Sequence, residues 1–292
     1  MFSNWSAASR SLPVPRLLCS TSFAAKALRL SCNCGYHSGR SDLDYILLPG
    51  MDGKADLLGP LMDAFPEASR KSVPHYLTDT VVNYDQLLSM LEFIVPEAPY
   101  LLIAESYSTP LAIRFAARHP PHLQGLVLCA GFASSPLRGW SRKAVLIASR
   151  LLFRLQPPRS VLERFLIGKG VDLALLNQLQ TSIAAVKPEV LAARLREVLN
   201  CDVRGDLAKI GIPTLYIQAQ HDRLIGPGSL SEILALKPDI VVEQIPGPHL
   251  LFQREPIKAA AAIERFVQLR IPQAATPRAP GSTASGSGPL TA

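Results

Sequence analysis

Tyr100–Ser108 reads YLLIAESYS, and residues 109–120 continue TPLAIRFAARHP. Tyr100–Ala104 is apolar on both faces, as a strand covered on each side of a sheet must be. A helical pattern runs from Pro110 to Arg118, so the small polar run between them is a tight strand-to-helix turn. A serine on such a turn is lifted off the sheet edge, where a base can reach it. The turn presses helix backbone against strand backbone, so the positions two before and two after Ser106 must be small. They are Ala104 and Ser108, where glycines are usual. The helix start also aims free N–H groups at charge forming near Ser106. Alone, this pentapeptide is a weak match, because small polar turns after strands are common.

The same rhythm repeats on both sides of it. Tyr45–Leu48 is a compact apolar strand stopped by Pro49–Gly50, and Leu57–Phe65 reads as a helix. Ser72–Leu77 is a short strand candidate and Tyr84–Ile94 has helical spacing. Gly125–Ala130, Pro213–Ala219 and Ile240–Ile245 read as strands, and Ile257–Leu269 as an amphipathic helix. Buried strands separated by helices give an α/β fold, a mostly parallel sheet covered on both sides. Cys129, at a strand end, reads as a buried thiol.

Residues 132–207 interrupt that rhythm. They hold helical stretches at Lys143–Leu155, Val161–Ile167, Leu173–Val186 and Val190–Leu199, with no strong strand. This is a helical lid between a first core part at 41–131 and a second at 208–270. Its first part is basic: Arg138, Arg142, Lys143, Arg150, Arg154, Arg159, Arg164 and Lys169, with Glu163 the one acid among them. That is either a solvated helix face or a surface that attracts anionic substrates or lipid headgroups. Phe132, Trp140, Leu151, Leu152 and Phe153 are candidates to line an acyl or aromatic pocket, or to be buried core.

Two later residues give Ser106 its chemistry. Asp222 lies just past the strand Pro213–Ala219, and His249 just past Ile240–Ile245. All three polar residues fall at the carboxyl ends of parallel strands, where open α/β sheets place their sites. The order is Ser, Asp, His. Ser106 as nucleophile, His249 as base and Asp222 as its orienting acid form a catalytic triad. His221 adjoins Asp222, too close for that acid to orient it. Glu105, beside the nucleophile, is expected to face away and anchor neighbouring loops, and Asp52 to brace the loop after Tyr45–Leu48.

Over roughly Asp44–Leu269 the chain resembles the α/β-hydrolase superfamily, and within it the small lidded bacterial carboxylesterases. The resemblance rests on YILLPGMDG (45–53), AESYSTPLAIRFAARHP (104–120), GLVLCAG (125–131), IPTLYIQAQHDRLI (212–225) and PGPHLLF (246–252). It implies a serine esterase with Ser106, Asp222 and His249 in the roles above. It also implies an oxyanion hole from the N–H groups of Met51 and Tyr107, with Pro49 where the family often has His. Little sequence is left for the family's first strands, so a shortened sheet is expected. The implied reaction is hydrolysis of small to medium acyl esters. Thioesters, amides, carbon–carbon bonds and non-catalytic binding are the alternatives on the same fold.

Composition agrees and excludes other classes. The chain has 292 residues, 48% hydrophobic and only 18% charged, so it can bury a large core. A formal charge of +7 on this length does not imply nucleic acid, and no zinc-finger spacing occurs. Five cysteines are too few and scattered for a disulfide scaffold. No apolar run is long enough to span a membrane. No metal-ligand spacing or nucleotide-binding loop appears, so no cofactor and no metal are expected. Residues 1–40 are basic, Ser-rich and free of acids, and include Cys32 and Cys34. They read as a disordered leader, with organellar targeting the alternative to a cytoplasmic address. Residues 271–292 read as a disordered tail.

Overall fold

The computed structural model describes residues 43–155 and 157–272, without the side chains of Arg150 and Leu152. The expected leader with Cys32 and Cys34 lies outside the described residues, as does the expected tail 271–292 from residue 273 on; Ile271 is a correction, because its side chain is buried in the core against one face of the sheet. Six strands form one parallel sheet: β1 Asp44–Leu48, β2 Lys71–Ser72, β3 Tyr100–Glu105, β4 Leu123–Cys129, β5 Thr214–Ala219 and β6 Val241–Ile245. Their order is β2-β1-β3-β4-β5-β6. From β1 the chain steps outward to β2 and then crosses back to β3. This reversal leaves a crevice at the carboxyl ends of β1 and β3, the place such sheets reserve for a site.

Strand side chains alternate between two apolar layers. Ile46, Leu48, Leu102, Ala104, Leu126, Leu128 and Tyr216 point to one face, with the helices α2 Tyr84–Ile94 and α3 Thr109–Ala116. Tyr45, Leu47, Leu101, Ile103, Val127, Cys129, Leu215 and Ile217 point to the other. The helices α1 Gly59–Ala64 and α11 Pro256–Arg270 pack there. Helix α2 starts where the sequence predicts, because Asn83 and Gln86 form a reciprocal capping box.

The insertion between β4 and β5 holds α4 Gly139–Arg154, α5 Arg159–Leu162, α6 Leu173–Ala184, α7 Pro188–Asn200 and α8 Arg204–Leu207. Its ends meet in an antiparallel bridge between Ser134 and Asp202, flanked by Val203 N–H donating to the Ala133 carbonyl at 2.7 Å. Between β5 and β6 lies α9 Pro227–Leu236, which the sequence reading omits. Gly228, Ser229 and Ser231 dilute its apolar period. After β6 comes α10 Leu251–Arg254. The strand expected over Ser72–Leu77 is a correction: the paired strand is Lys71–Ser72, with a single bridge residue at Pro74 beyond it. Pro74 has no N–H to give, and Tyr76 N–H turns to the Gly53 carbonyl at 2.9 Å. The helix expected over Val161–Ile167 is α5 running into a π turn at Glu163–Ile167. No helix among the described residues is long and apolar enough to cross a membrane.

Leu126 sits fully buried on the central strand β4. Leu126→Ala is expected to cost about 3 kcal/mol of stability through lost burial and a cavity, read as a lower urea midpoint with unchanged slope.

Candidate active site

The turn after β3 begins with Ser106 at φ 48°, a left-handed conformation that costs a non-glycine residue ~1–2 kcal/mol. The conformation is held from the far side: Thr109 Oγ1 donates to the Ser106 carbonyl at 2.8 Å. The strained turn projects Ser106 Oγ to 2.8 Å from His249 Nε2. His249 Nδ1 lies 2.7 Å from Asp222 Oδ2. Asp222 Oδ1 accepts from the N–H groups of Leu224 and Ile225 at 2.8 and 2.9 Å, which fixes the carboxylate without using the oxygen that faces the imidazole. The Asp222 and His249 side chains are buried, whereas Ser106 is half-buried. His249 is thus set to take the Ser106 proton, and Asp222 to hold the Nδ1–H tautomer. His221 is exposed; its N–H is tied to the Gly247 carbonyl at 2.9 Å.

The two peptide groups that the sequence nominates for an oxyanion hole are each anchored through their carbonyl. In a trans peptide the N–H points opposite to the C=O. The Gly50 carbonyl accepts from Gly53 N–H at 3.1 Å, which sets the direction of Met51 N–H. The Ser106 carbonyl accepts from Thr109, which sets that of Tyr107 N–H. A second ring of polar groups locks the same loops. Ser108 Oγ donates to the Pro49 carbonyl, so its partner Tyr76 Oη, at 2.8 Å, must be the donor to it. Tyr84 Oη donates to the Tyr107 carbonyl at 2.6 Å, and their rings stack. Arg194, on α7, is buried and donates to the carbonyls of Met51 at 2.7 Å and Leu77 at 2.8 Å. Its guanidinium also lies over the Tyr76 and Tyr107 rings. Gly53 must be glycine: its φ is 73°, and a Cβ would meet Tyr76 Cβ at 2.8 Å and Arg194 Nη1 at 2.9 Å.

The model of the serine aminopeptidase S33 family matches residues 68–238, more than half of the chain. The chain belongs to that family of serine hydrolases. The matched span holds Ser106 and Asp222 and ends before His249. A pimeloyl-[acyl-carrier protein] methyl ester esterase of Nitrosospira multiformis is 26% identical over 198 residues, covering 64% of this chain and 74% of that protein. The esterase of the same description from Stenotrophomonas maltophilia is 33% identical over 97 residues, 33% of this chain and 38% of that protein. Among solved structures, a hydrolase of Oleispira antarctica superposes with a TM-score of 0.71 at 12% identity, covering 85% of this chain and 97% of that one. An esterase from Thermogutta terrifontis gives 0.69 at 18% identity, covering 82% and 93%. These likenesses show the α/β-hydrolase fold.

Within this S33 hydrolase the lid is tied to the site loops. Asp52 Oδ2 accepts from Ser182 Oγ of α6 at 2.9 Å, and Leu250 N–H donates to the Leu166 carbonyl at 2.9 Å. Burial pushes the Asp52 carboxyl above its ordinary value, against the pull of Ser182 and Arg194. Phe153 and Met51 both pack against the core of Val186, Val190 and Leu191. Phe132 belongs to the same buried core layer as Tyr107. Trp140 and Leu151 are corrections: both are exposed, 83% and 62%, because α4 lies along α7 with the opposite side. The Leu152 side chain lies outside the described residues. Among the described residues no cluster of three or more His, Cys, Asp or Glu could hold a metal.

Glu105 is fully buried, as an anchor should be. Gln253 Nε2, on α10, donates to its Oε2 at 3.1 Å, while Glu105 Oε1 and Gln253 Oε1 are buried without a partner. Burial pushes the Glu105 carboxyl up to about 7, Gln253 and His249 oppose the rise, and Asp52 adds to it. A proton on Glu105 supplies a donor where the two unpartnered oxygens, Glu105 Oε1 and Gln253 Oε1, are both acceptors.

A raised folded-state value means that Glu105 contributes stability that is fully present below the ordinary carboxylic range and is lost as pH rises through about 7. Glu105→Gln is expected to flatten the fall in Tm between about pH 5 and 8, measured by calorimetry. Arg194→Met leaves the half-buried Met51 and Leu77 carbonyls without their donor and is expected to cost about 3 kcal/mol and to lower kcat about tenfold or more with KM little changed. Arg194→Lys is expected to recover little of either, since a point charge cannot span both carbonyls.

Proposed function

We propose that this protein hydrolyses carboxylic esters through an acyl-enzyme on Ser106. The observation that carries the reading is the unbroken line of hydrogen bonds from Ser106 through His249 to Asp222. As Ser106 Oγ attacks the ester carbonyl, His249 Nε2 takes its proton, and the imidazolium is stabilised by Asp222. The N–H groups of Met51 and Tyr107 receive the oxyanion, each donor worth ~3 kcal/mol. His249 then protonates the departing alcohol, and water, activated by the same base, releases the acid.

An ester is favoured over a peptide by the state of the nearby carboxyls. Neither carboxyl beside the site loops is free to pair with a substrate's α-amine: Glu105 is buried against Gln253 and Asp52 is bound to Ser182. The curated relatives from Nitrosospira and Stenotrophomonas are described as methyl ester esterases. Phe153, Ile183 and Met51 are apolar and partly buried against the core of Val186, Val190 and Leu191, which suits an uncharged acyl group next to the Met51 loop.

The test is turnover of a p-nitrophenyl ester ladder from acetate to palmitate. A maximum at short to medium chains is expected, and Ser106→Ala should lower kcat at least ~1000-fold. An unchanged rate in that variant would sink the assignment of Ser106. A ladder with no turnover, beside rapid cleavage of an aminoacyl amide, would replace ester by peptide chemistry.

A further inference from the structure

The lid helix α4 has two apolar sides. Inward, Ser149 is buried and Phe153 joins the cluster on α7. Outward, Trp140, Ile147 and Leu151 are exposed by 83%, 84% and 62%, and Leu155, just past the helix end, by 66%. Steps of seven, four and four residues put them in one row along the helix. The row is not a scatter of surface leucines. Of the eleven large hydrophobics exposed among the described residues, these four and Val161 and Leu173 belong to the insertion. A contiguous exposed apolar row on a folded chain marks a surface that meets something.

Charge says what it meets. From Arg138 to Lys169 the chain carries eight basic residues against one acid, Glu163. Lys143 and Arg154 border the row on one side by helical spacing, and Arg159, Arg164 and Lys169 continue the exposed positive surface. A helix lying in a lipid interface buries such a row at the acyl boundary. Its Lys and Arg reach the headgroups, and Trp sits at the level between them.

We propose that the outer face of α4 docks this protein onto anionic phospholipid surfaces, with Trp140, Ile147, Leu151 and Leu155 inserted and Lys143 and Arg154 on the headgroups. The reading is independent of which bond Ser106 cleaves, and its test reads binding. The full chain is floated with phosphatidylcholine vesicles containing or lacking about one-third phosphatidylglycerol. Binding is expected with the anionic vesicles, weakened by salt as surface charge is screened. The double variants Ile147→Asp/Leu155→Asp and Lys143→Glu/Arg154→Glu should each lower the partition coefficient at least tenfold, with Tm and turnover of a soluble ester unchanged. These variants keep every basic residue of 1–40, so equal binding by wild type and variants would overturn the proposal and move the contact elsewhere. The chain has two tryptophans. In a Trp5→Phe background Trp140 is therefore the sole tryptophan emitter, and its emission should shift to the blue on adding anionic vesicles. No flotation with either vesicle overturns the proposal. So does a concentration-dependent dimer that the Ile147→Asp/Leu155→Asp variant abolishes while vesicles are ignored, since a second copy then covers the row.

Discussion

The Ser108 hydroxyl joins the two loops on which the site depends. It donates to the Pro49 carbonyl at the end of β1 and accepts from Tyr76, while its own backbone belongs to the turn that carries Ser106. The turn after β3 and the loop after β1 approach because the sheet order reverses between those strands. Without a small residue at 108 the helix could not approach β3; without a hydroxyl there, two buried groups would lose their partner. The position solves a steric and a polar problem at once, which a glycine could not do.

The same economy extends to the lid. Buried Arg194 on α7 bonds two loop carbonyls and covers two tyrosine rings, and Ser182 on α6 bonds Asp52. These are buried polar contacts, so opening α6 or α7 would expose unpaired groups as well as apolar surface. Helix α4 differs. It packs on α7 and presents its apolar row to solvent. The insertion is therefore an inner layer that shapes the site and an outer layer free to meet another surface.

Several residues that hold the site leave only a faint trace in the sequence. Arg194 falls at helical spacing with Val190, Leu191 and Val198, on the face that should be buried, and a charge there demands partners. Its partners are backbone carbonyls at Met51 and Leu77, which no side-chain pattern encodes. Tyr76 lies where the sequence predicts a longer strand, and nothing local gives its hydroxyl a target. Trp140 and Leu151 show the converse error: an apolar residue on a lid helix has two sides to choose between, and its period alone does not choose.

The strands, most of the helices, the two-faced sheet and the three residues Ser106, Asp222 and His249 are all legible in the linear chain. Hydrophobic period and turn chemistry are local, and chain order along a parallel sheet places strand ends together. Three features become fixed only when the chain closes on itself: how the Met51 and Tyr107 peptides are oriented, what satisfies the polar groups beneath them, and which side of α4 faces water. Those outcomes hang on contacts between segments far apart in the chain, such as Arg194 with Met51 and Gln253 with Glu105. Their energy comes from satisfying buried groups whose partners exist only in the folded state.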